Sequence, residues 1–287
     1  MEVLRITPRG YCHGVVDAFR IAKRVRETSE GPIYMLGQLV HNTHATNDLQ
    51  TGGIALVDPP NRLAGLDQIE EGTVIFTAHG VSPQVKAKAV AKGLQAIDAT
   101  CSDVVRTHDL VRQLATEGYE VIYIGRHGHP EPEGVVGEAV GRVHVVQELS
   151  DVERLEINRE RVAVTCQTTL SVWDTEELIE AVRRRYPQVE VHNEICRATQ
   201  ERQEAAVKAA AEVDLVIVVG SQKSSNANRL VEVVRKLGGK PAYLVDNLEE
   251  IDLTWFKGCS KVGVTSGAST PTQFTRKVVE YLEDLVV

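Results

Sequence analysis

No CxxC pair occurs among the five cysteines of this 287-residue chain, and an odd number of cysteines does not close a disulfide framework. The thiols therefore point to a reducing compartment. Long apolar runs are also missing: the longest, residues 215–219, is far too short to cross a bilayer. The opening residues MEVLRIT lack the basic and apolar regions of a signal peptide, so a cytoplasmic protein without a membrane partner is expected. There is no long Lys/Arg run and the formal net charge is −8, which argues against nucleic acid as a partner but leaves room for a local anion site. Neither a GxxxxGK[ST] element, a Rossmann fingerprint nor a flavin motif is present, so phosphate is not held as in a P-loop enzyme and electrons must come from outside the chain. With 43% hydrophobic and 25% charged residues, the composition is that of an ordinary globular protein.

What is present is a period. His41 follows Cys12 by 29 residues, His129 follows Cys101 by 28, and Ser224 follows Cys196 by 28. A third element closes each unit: VIFTAHGVS, VAVTCQTTLS and VGVTSGAST, whose threonines Thr77, Thr165 and Thr265 lie 65, 64 and 69 residues after their cysteines. Self-similarity of this kind predicts three copies of one supersecondary unit. Apolar runs at 32–36, 73–77, 120–124, 161–165, 215–219 and 261–265 alternate with helical segments such as 174–186 and 228–237, which reads as parallel α/β units. The period places unit boundaries near 95 and 190, giving 1–95, 96–190 and 191–287. Three related units close most simply about a pseudo-threefold axis, with equivalent residues converging on it.

Three thiolates meeting on such an axis make a site for a soft metal or an iron-sulfur cluster, and three rather than four leaves one iron open to substrate. Each cysteine follows a short apolar run (3–6, 94–97, 189–191) and precedes a helix-like segment, where a helix N-terminus favours thiolate. A single intracellular cysteine is more often a small buried hydrophobe, and Cys166 and Cys259, which fall off the period, are expected to be that. The glycine-bearing turns around the axis bring His41, His79, His129, Ser224, Ser225, Asn226 and Ser269, an inventory of donors suited to diphosphate. Glu131, in HPEPEG, is the acid candidate, with Glu133 as its competitor. Thr168 is a candidate relay or hydroxyl contact, a role that Thr169 could share.

These residues resemble a known family, the 4-hydroxy-3-methylbut-2-enyl diphosphate reductases. PRGYCHGV, VHN, AHGVS, DATC, HPEPEG, QTTLS, EIC.ATQ.RQ, SSNANRL and GAST are similar to the family's motifs in order and spacing over nearly the whole chain. The resemblance implies three α/β domains around one 4Fe-4S cluster, found as 3Fe-4S where the open iron is lost. Its ligands would be Cys12, Cys101 and Cys196. It implies diphosphate contacts at His41, His79, His129, Ser224, Ser225, Asn226 and Ser269, proton delivery by Glu131 and a substrate hydroxyl near Thr168. The reaction implied is reductive dehydroxylation of the allylic diphosphate to isopentenyl and dimethylallyl diphosphates, with ferredoxin or flavodoxin as donor. Two positions depart from the pattern: Ser102 replaces the usual proline and His13 the common alanine or tyrosine. A redox-neutral hydro-lyase with an open iron, and an iron-sulfur sensor, are the competing classes. Reductant dependence separates the first and binding of an isoprenoid diphosphate the second.

Overall fold

The computed structural model describes residues 1–285. The first stretch runs β1 (Glu2–Arg5), α1 (His13–Thr28), β2 (Ile33–Leu36), α2 (Thr43–Thr51), β3 (Ala55–Val57), α3 (Arg62–Gly65), β4 (Thr73–Phe76), α4 (Pro83–Ala91) and β5 (Gln95–Asp98). The second runs α5 (Ser102–Thr116), β6 (Glu120–Ile124), α6 (Pro130–Val136), β7 (Val143–Val146), α7 (Leu149–Arg154), β8 (Val162–Cys166), α8 (Val172–Arg185) and β9 (Glu190–Val191). The third runs α9 (Arg197–Ala210), β10 (Leu215–Val219), α10 (Ser225–Lys236), β11 (Ala242–Val245), β12 (Lys261–Ser266) and α11 (Thr272–Asp284).

Three four-stranded, all-parallel sheets result, ordered β3-β2-β4-β5, β7-β6-β8-β9 and β11-β10-β12-β1. Their central strands are largely apolar: EVIYI in β6, VAVTC in β8 and LVIVV in β10 are buried at every residue. A strand buried on both faces has no reason to alternate, and its β-branched side chains fit the pleat. Serine hydroxyls accept from the backbone N–H groups that open α4, α8 and α10 (Ser82 from Val85, Ser171 from Asp174, Ser224 from Ala227), so each crossover helix starts where a strand-end loop supplies its cap.

The third sheet corrects the expected boundaries. The sequence period puts residues 1–95 in one unit, yet β1 pairs with β12, Val3 opposite Val262. In each sheet the fourth strand runs straight to a cysteine: β5 to Cys101, β9 to Cys196, and β1 to Cys12. The cysteine ends one sheet rather than beginning the next, so the N-terminal strand completes the C-terminal sheet, and cuts at 95 and 190 fall at β5 and β9. The chain folds into two compact bodies. One holds residues 1–15, 41–45 and the chain from Cys196 onward, and the other holds 16–40 and 46–195. The first carries the sheet of β1, β10, β11 and β12, with Phe256, Leu215, Ile217, Val264 and Leu282 in its core. The second carries the other two sheets, with Phe76 and Leu66 in one core and Ile122, Val164 and Val182 in another. No helix among the described residues is long and apolar enough to cross a membrane.

Candidate functional site

In the body formed by residues 16–40 and 46–195, the polar centre is the start of α6. His129 is its N-cap and Pro130 its first residue, where a missing N–H costs nothing. The cap is an imidazole: His129 Nδ1 accepts from the Glu131 N–H at 3.1 Å. A nitrogen that accepts carries no proton, so the neutral ring holds its hydrogen on Nε2. Glu131 itself is 1% exposed. Its Oε1 accepts from the Thr168 N–H at 2.8 Å and the Tyr123 hydroxyl at 3.2 Å, and its Oε2 accepts from Thr168 Oγ1 at 3.0 Å. Burial pushes this carboxyl up to about 7, although the bonds from Thr168 and Tyr123 and the neighbouring His108 pull it the other way.

The rival acid is otherwise engaged. Glu133 Oε2 lies 3.6 Å from Arg62 Nη1, and its Oε1 accepts from the Arg62 backbone N–H at 3.2 Å. Arg62 also reaches Thr77 Oγ1 at 3.4 Å, and that oxygen lies 3.3 Å from His79 Nδ1. The threonine oxygen thus joins the Arg62 guanidinium to the His79 ring. The two rings meet edge to face, with centroids 5.5 Å apart. Thr169 is turned away from the acid, its hydroxyl accepting from Gln167 Nε2 at 3.0 Å. Cys101 caps the N-terminus of the 15-residue α5. Cys166 is buried beneath the site with its thiol pushed up to about 12 by burial, which keeps it protonated.

The other body gathers Cys12, Cys196, His41, Ser224, Ser225, Asn226 and Ser269. Cys196 is the N-cap of α9 and Cys12 directly precedes α1, helices of 14 and 16 residues whose N-termini favour thiolate. Asn226 Oδ1 accepts from the Ala268 N–H at 2.9 Å, Asn226 Nδ2 donates to Thr199 Oγ1 at 3.2 Å, and Cys196 Sγ donates to the same oxygen at 3.2 Å. The Ala268 carbonyl accepts from the Cys12 N–H at 3.0 Å, and Ser269 Oγ donates to the His41 carbonyl at 3.0 Å. Ser224, Ser225 and Asn226 are all buried at the start of α10, where N–H groups and the helix dipole favour an anion.

Sequence reasoning missed Arg202, Thr199, Tyr123 and His108. Arg202 is 4% exposed and bonds the Gly10 carbonyl at 2.9 Å, while its Nε has no hydrogen-bond partner among the described residues. Burial lowers its hold on a proton, and the charges of Cys12 and Cys196 oppose that. Its signal was the RQ pair closing ATQ.RQ, a buried-arginine position inside a helix that follows a cysteine.

Thiols at helix starts, a near-neutral carboxyl and two histidine rings beside it, on three parallel sheets, define an α/β enzyme. The LytB protein family matches residues 3–283, and the chain belongs to it. It is 56% identical over 286 residues to the 4-hydroxy-3-methylbut-2-enyl diphosphate reductase of Symbiobacterium thermophilum, covering 99% of this chain and 97% of that one. The identically named protein of Anoxybacillus flavithermus is 54% identical over 285 residues, covering 99% and 90%. Among solved structures, the E-1-hydroxy-2-methyl-but-2-enyl-4-diphosphate reductase from Plasmodium falciparum matches with a TM-score of 0.92 at 34% identity, covering 99% of this chain and 88% of that one. A second, described as (E)-4-hydroxy-3-methyl-but-2-enyl diphosphate reductase, the terminal enzyme of the non-mevalonate pathway, matches at 0.69 with 33% identity, covering 99% and 100%.

Proposed function

We propose that the chain reduces (E)-4-hydroxy-3-methylbut-2-enyl diphosphate to isopentenyl and dimethylallyl diphosphates in the cytoplasm, with ferredoxin or flavodoxin as electron donor. The observation that carries this reading is Glu131, a fully buried carboxyl held by Thr168 and Tyr123 and raised to about 7. Loss of the allylic hydroxyl as water requires a proton, and a carboxyl with this affinity carries one at neutral pH. Oε1 already accepts from two donors, so a proton belongs on Oε2, and protonation there reverses the bond that Oε2 otherwise accepts from Thr168 Oγ1. The threonine's own hydrogen then faces outward to a substrate hydroxyl. Thr168 thus works as a relay that both orients the hydroxyl and passes the proton.

The residues fit an iron-sulfur cluster. None of the five cysteines is in a disulfide, and three stand at helix starts. The buried Arg202 is a cation beside two of them, an arrangement that is costly without thiolate charge to balance it. In this reading Cys12, Cys101 and Cys196 are the ligands, and what a bound 4Fe-4S cluster supplies is single electrons and one iron open to the substrate oxygen. His41, His79, His129, Ser224, Ser225, Asn226 and Ser269 are the diphosphate contacts, with His129 giving an Nε2–H bond. The unit of the fold is each four-stranded sheet with its helices. Serine at Cys12, Cys101 or Cys196 is expected to abolish the cluster's visible absorption, and serine at Cys259 to leave it. Equal loss at Cys259 would overturn the ligand set.

An anaerobic assay with photoreduced ferredoxin or flavodoxin tests the function. Isopentenyl and dimethylallyl diphosphates should form in proportion to reductant consumed. Turnover of the substrate without reductant would make the chain a hydro-lyase, and no turnover with the cluster intact would refute the reading.

A further inference from the structure

Beneath the acid lies a buried ionic group that the proposed chemistry does not use. His108, on α5, sits with its Nδ1 2.7 Å from Glu138 Oε1, both side chains less than a tenth exposed. Arg112, one turn further along α5, places Nε 3.0 Å from Glu138 Oε2. Burial works to raise the Glu138 carboxyl, but the bonds from His108 and Arg112 outweigh it and hold the group below its ordinary range, an ionised anchor for the ring. Bonded in this way, the imidazole cannot swivel.

The far edge of the ring is wedged between two glycines. A Cβ at Gly134 would stand 3.0 Å from His108 Cε1 and 3.2 Å from Nε2, and one at Gly80 would stand 2.9 Å from Nε2. Gly80 directly follows His79, and Gly134 lies on α6 one turn after Glu131. His108 Nε2 is buried and has no hydrogen-bond partner among the described residues, so this edge is held by packing alone. The ring fills the gap between the His79 turn and the helix that carries Glu131.

We infer that His108 is a positioning residue: anchored by Glu138, its ring is the spacer that sets the His79 turn at a fixed distance from the helix bearing Glu131. This rests on the proposed acid role of Glu131 and ligand role of His79. A glycine at 134 is then required because the spacer occupies the room a methyl group would take. Charge adds a second effect. Glu131 is faced by Tyr123 from β6, Cys166 from β8, Thr168 from the loop after β8 and His108 from α5, with His129 and Glu133 on its own helix and His79 across from His129. The neighbouring His108 works to lower the Glu131 carboxyl, against its burial.

The test is a space-complementation cycle on the cluster-bearing protein. Gly134→Ala should lower kcat by roughly tenfold, since displacements of well under 1 Å at a reacting group are costly. His108→Ala in that background should restore part of the loss, because the methyl group enters the vacated space. The same cycle read in affinity for inorganic diphosphate, by calorimetry, stays informative if Glu131 proves not to be the acid. A turnover test of Glu131→Gln at the wild-type rate refutes the acid role alone. Losses that simply multiply in both readouts would overturn the spacer. So would a Gly134→Ala protein with a lowered melting temperature but unchanged kcat and diphosphate affinity, which marks a purely structural contact. If His108→Ala does not fold, His108→Gln serves: the alkaline limb of kcat, and the pH at which the Glu131 carboxyl infrared band disappears, should both move upward. An unmoved band would overturn the charge effect.

Discussion

The starts of α6 and α10 are the same piece of structure with different chemistry. In both a strand-end turn supplies the cap, His129 in one and Ser224 in the other. In both the second helical residue is buried and polar, Glu131 and Asn226. In both its side-chain oxygen accepts from a backbone N–H three residues beyond a strand threonine: Thr168 N–H at 2.8 Å after Thr165, and Ala268 N–H at 2.9 Å after Thr265. The scaffold therefore fixes one hydrogen bond and leaves the second heteroatom to vary. At Glu131 that atom is a second oxygen bonded to a hydroxyl, so the group can hold a proton. At Asn226 it is an amide nitrogen donating to Thr199, which makes it a fixed donor that cannot titrate.

Making the two positions alike should produce the largest effect. Glu131→Gln keeps the size and the bond from Thr168 but cannot give a carboxyl proton. Turnover under excess reductant should fall by roughly 10²–10⁴, the range for lost general acid catalysis, with cluster absorption retained. Parental turnover with chemistry rate-limiting would remove Glu131 from the mechanism. The same variant carries a stability signature. Glu131 ionises near 4.5 when unfolded and near 7 when folded, so between those values the unfolded chain binds fewer protons and stability falls as pH rises. Above pH 7 the cost levels off at about 3 kcal/mol. Glu131→Gln should therefore be more stable than the parent at pH 8 and lose that advantage near pH 4, as urea denaturation at the two pH values would show. A gap independent of pH would mean the carboxyl is not raised.

Asn226→Ala should cost less, because no chemistry is lost. It strands the Ala268 N–H and also removes the amide proposed to contact the diphosphate, and loss of that one buried bond is worth on the order of 1–3 kcal/mol, or about 5–150-fold in affinity for a diphosphate ligand. The cluster spectrum should be unchanged. An unchanged dissociation constant would show that the α10 start is not an anion site.

How much of this was legible in the sequence depends on distance along the chain. The central strands were, because fully buried parallel strands are largely apolar, and the run at 215–219 is β10 residue for residue, whereas the short edge strands β3, β7 and β11 were not. The polar turns were also legible, since each follows such a run. The phase of the repeat was not: a cysteine looks the same whether it ends a sheet or opens the next, and only pairing in space shows β1 beside β12. His108 was invisible for a related reason. Its meaning comes from two glycines 28 and 26 residues away, neither of which looks unusual in a turn or a short helix. Glu131 was the sequence's choice of acid, but what engages its competitor Glu133 is Arg62, some 70 residues earlier.

The smallest contrast is between the caps. Ser224 caps α10 by accepting from the Ala227 N–H at 3.2 Å, so Ser224→Ala should destabilise α10 by about 1 kcal/mol. His129 does two things with one ring in the proposed reading: Nδ1 caps α6 and fixes the backbone of Glu131, and Nε2 donates to the diphosphate. His129→Ser should separate them. Serine is a good cap, so stability should stay within about 0.5 kcal/mol of the parent, whereas the imidazole donor is lost and diphosphate affinity should fall about tenfold. Nitrogen-15 NMR of the parent gives an independent check, with Nδ1 expected to remain unprotonated while the helix is intact. A signal for protonated Nδ1 in the folded protein would show that the cap is not made by the ring, and that the two helix starts differ in backbone geometry as well as in chemistry.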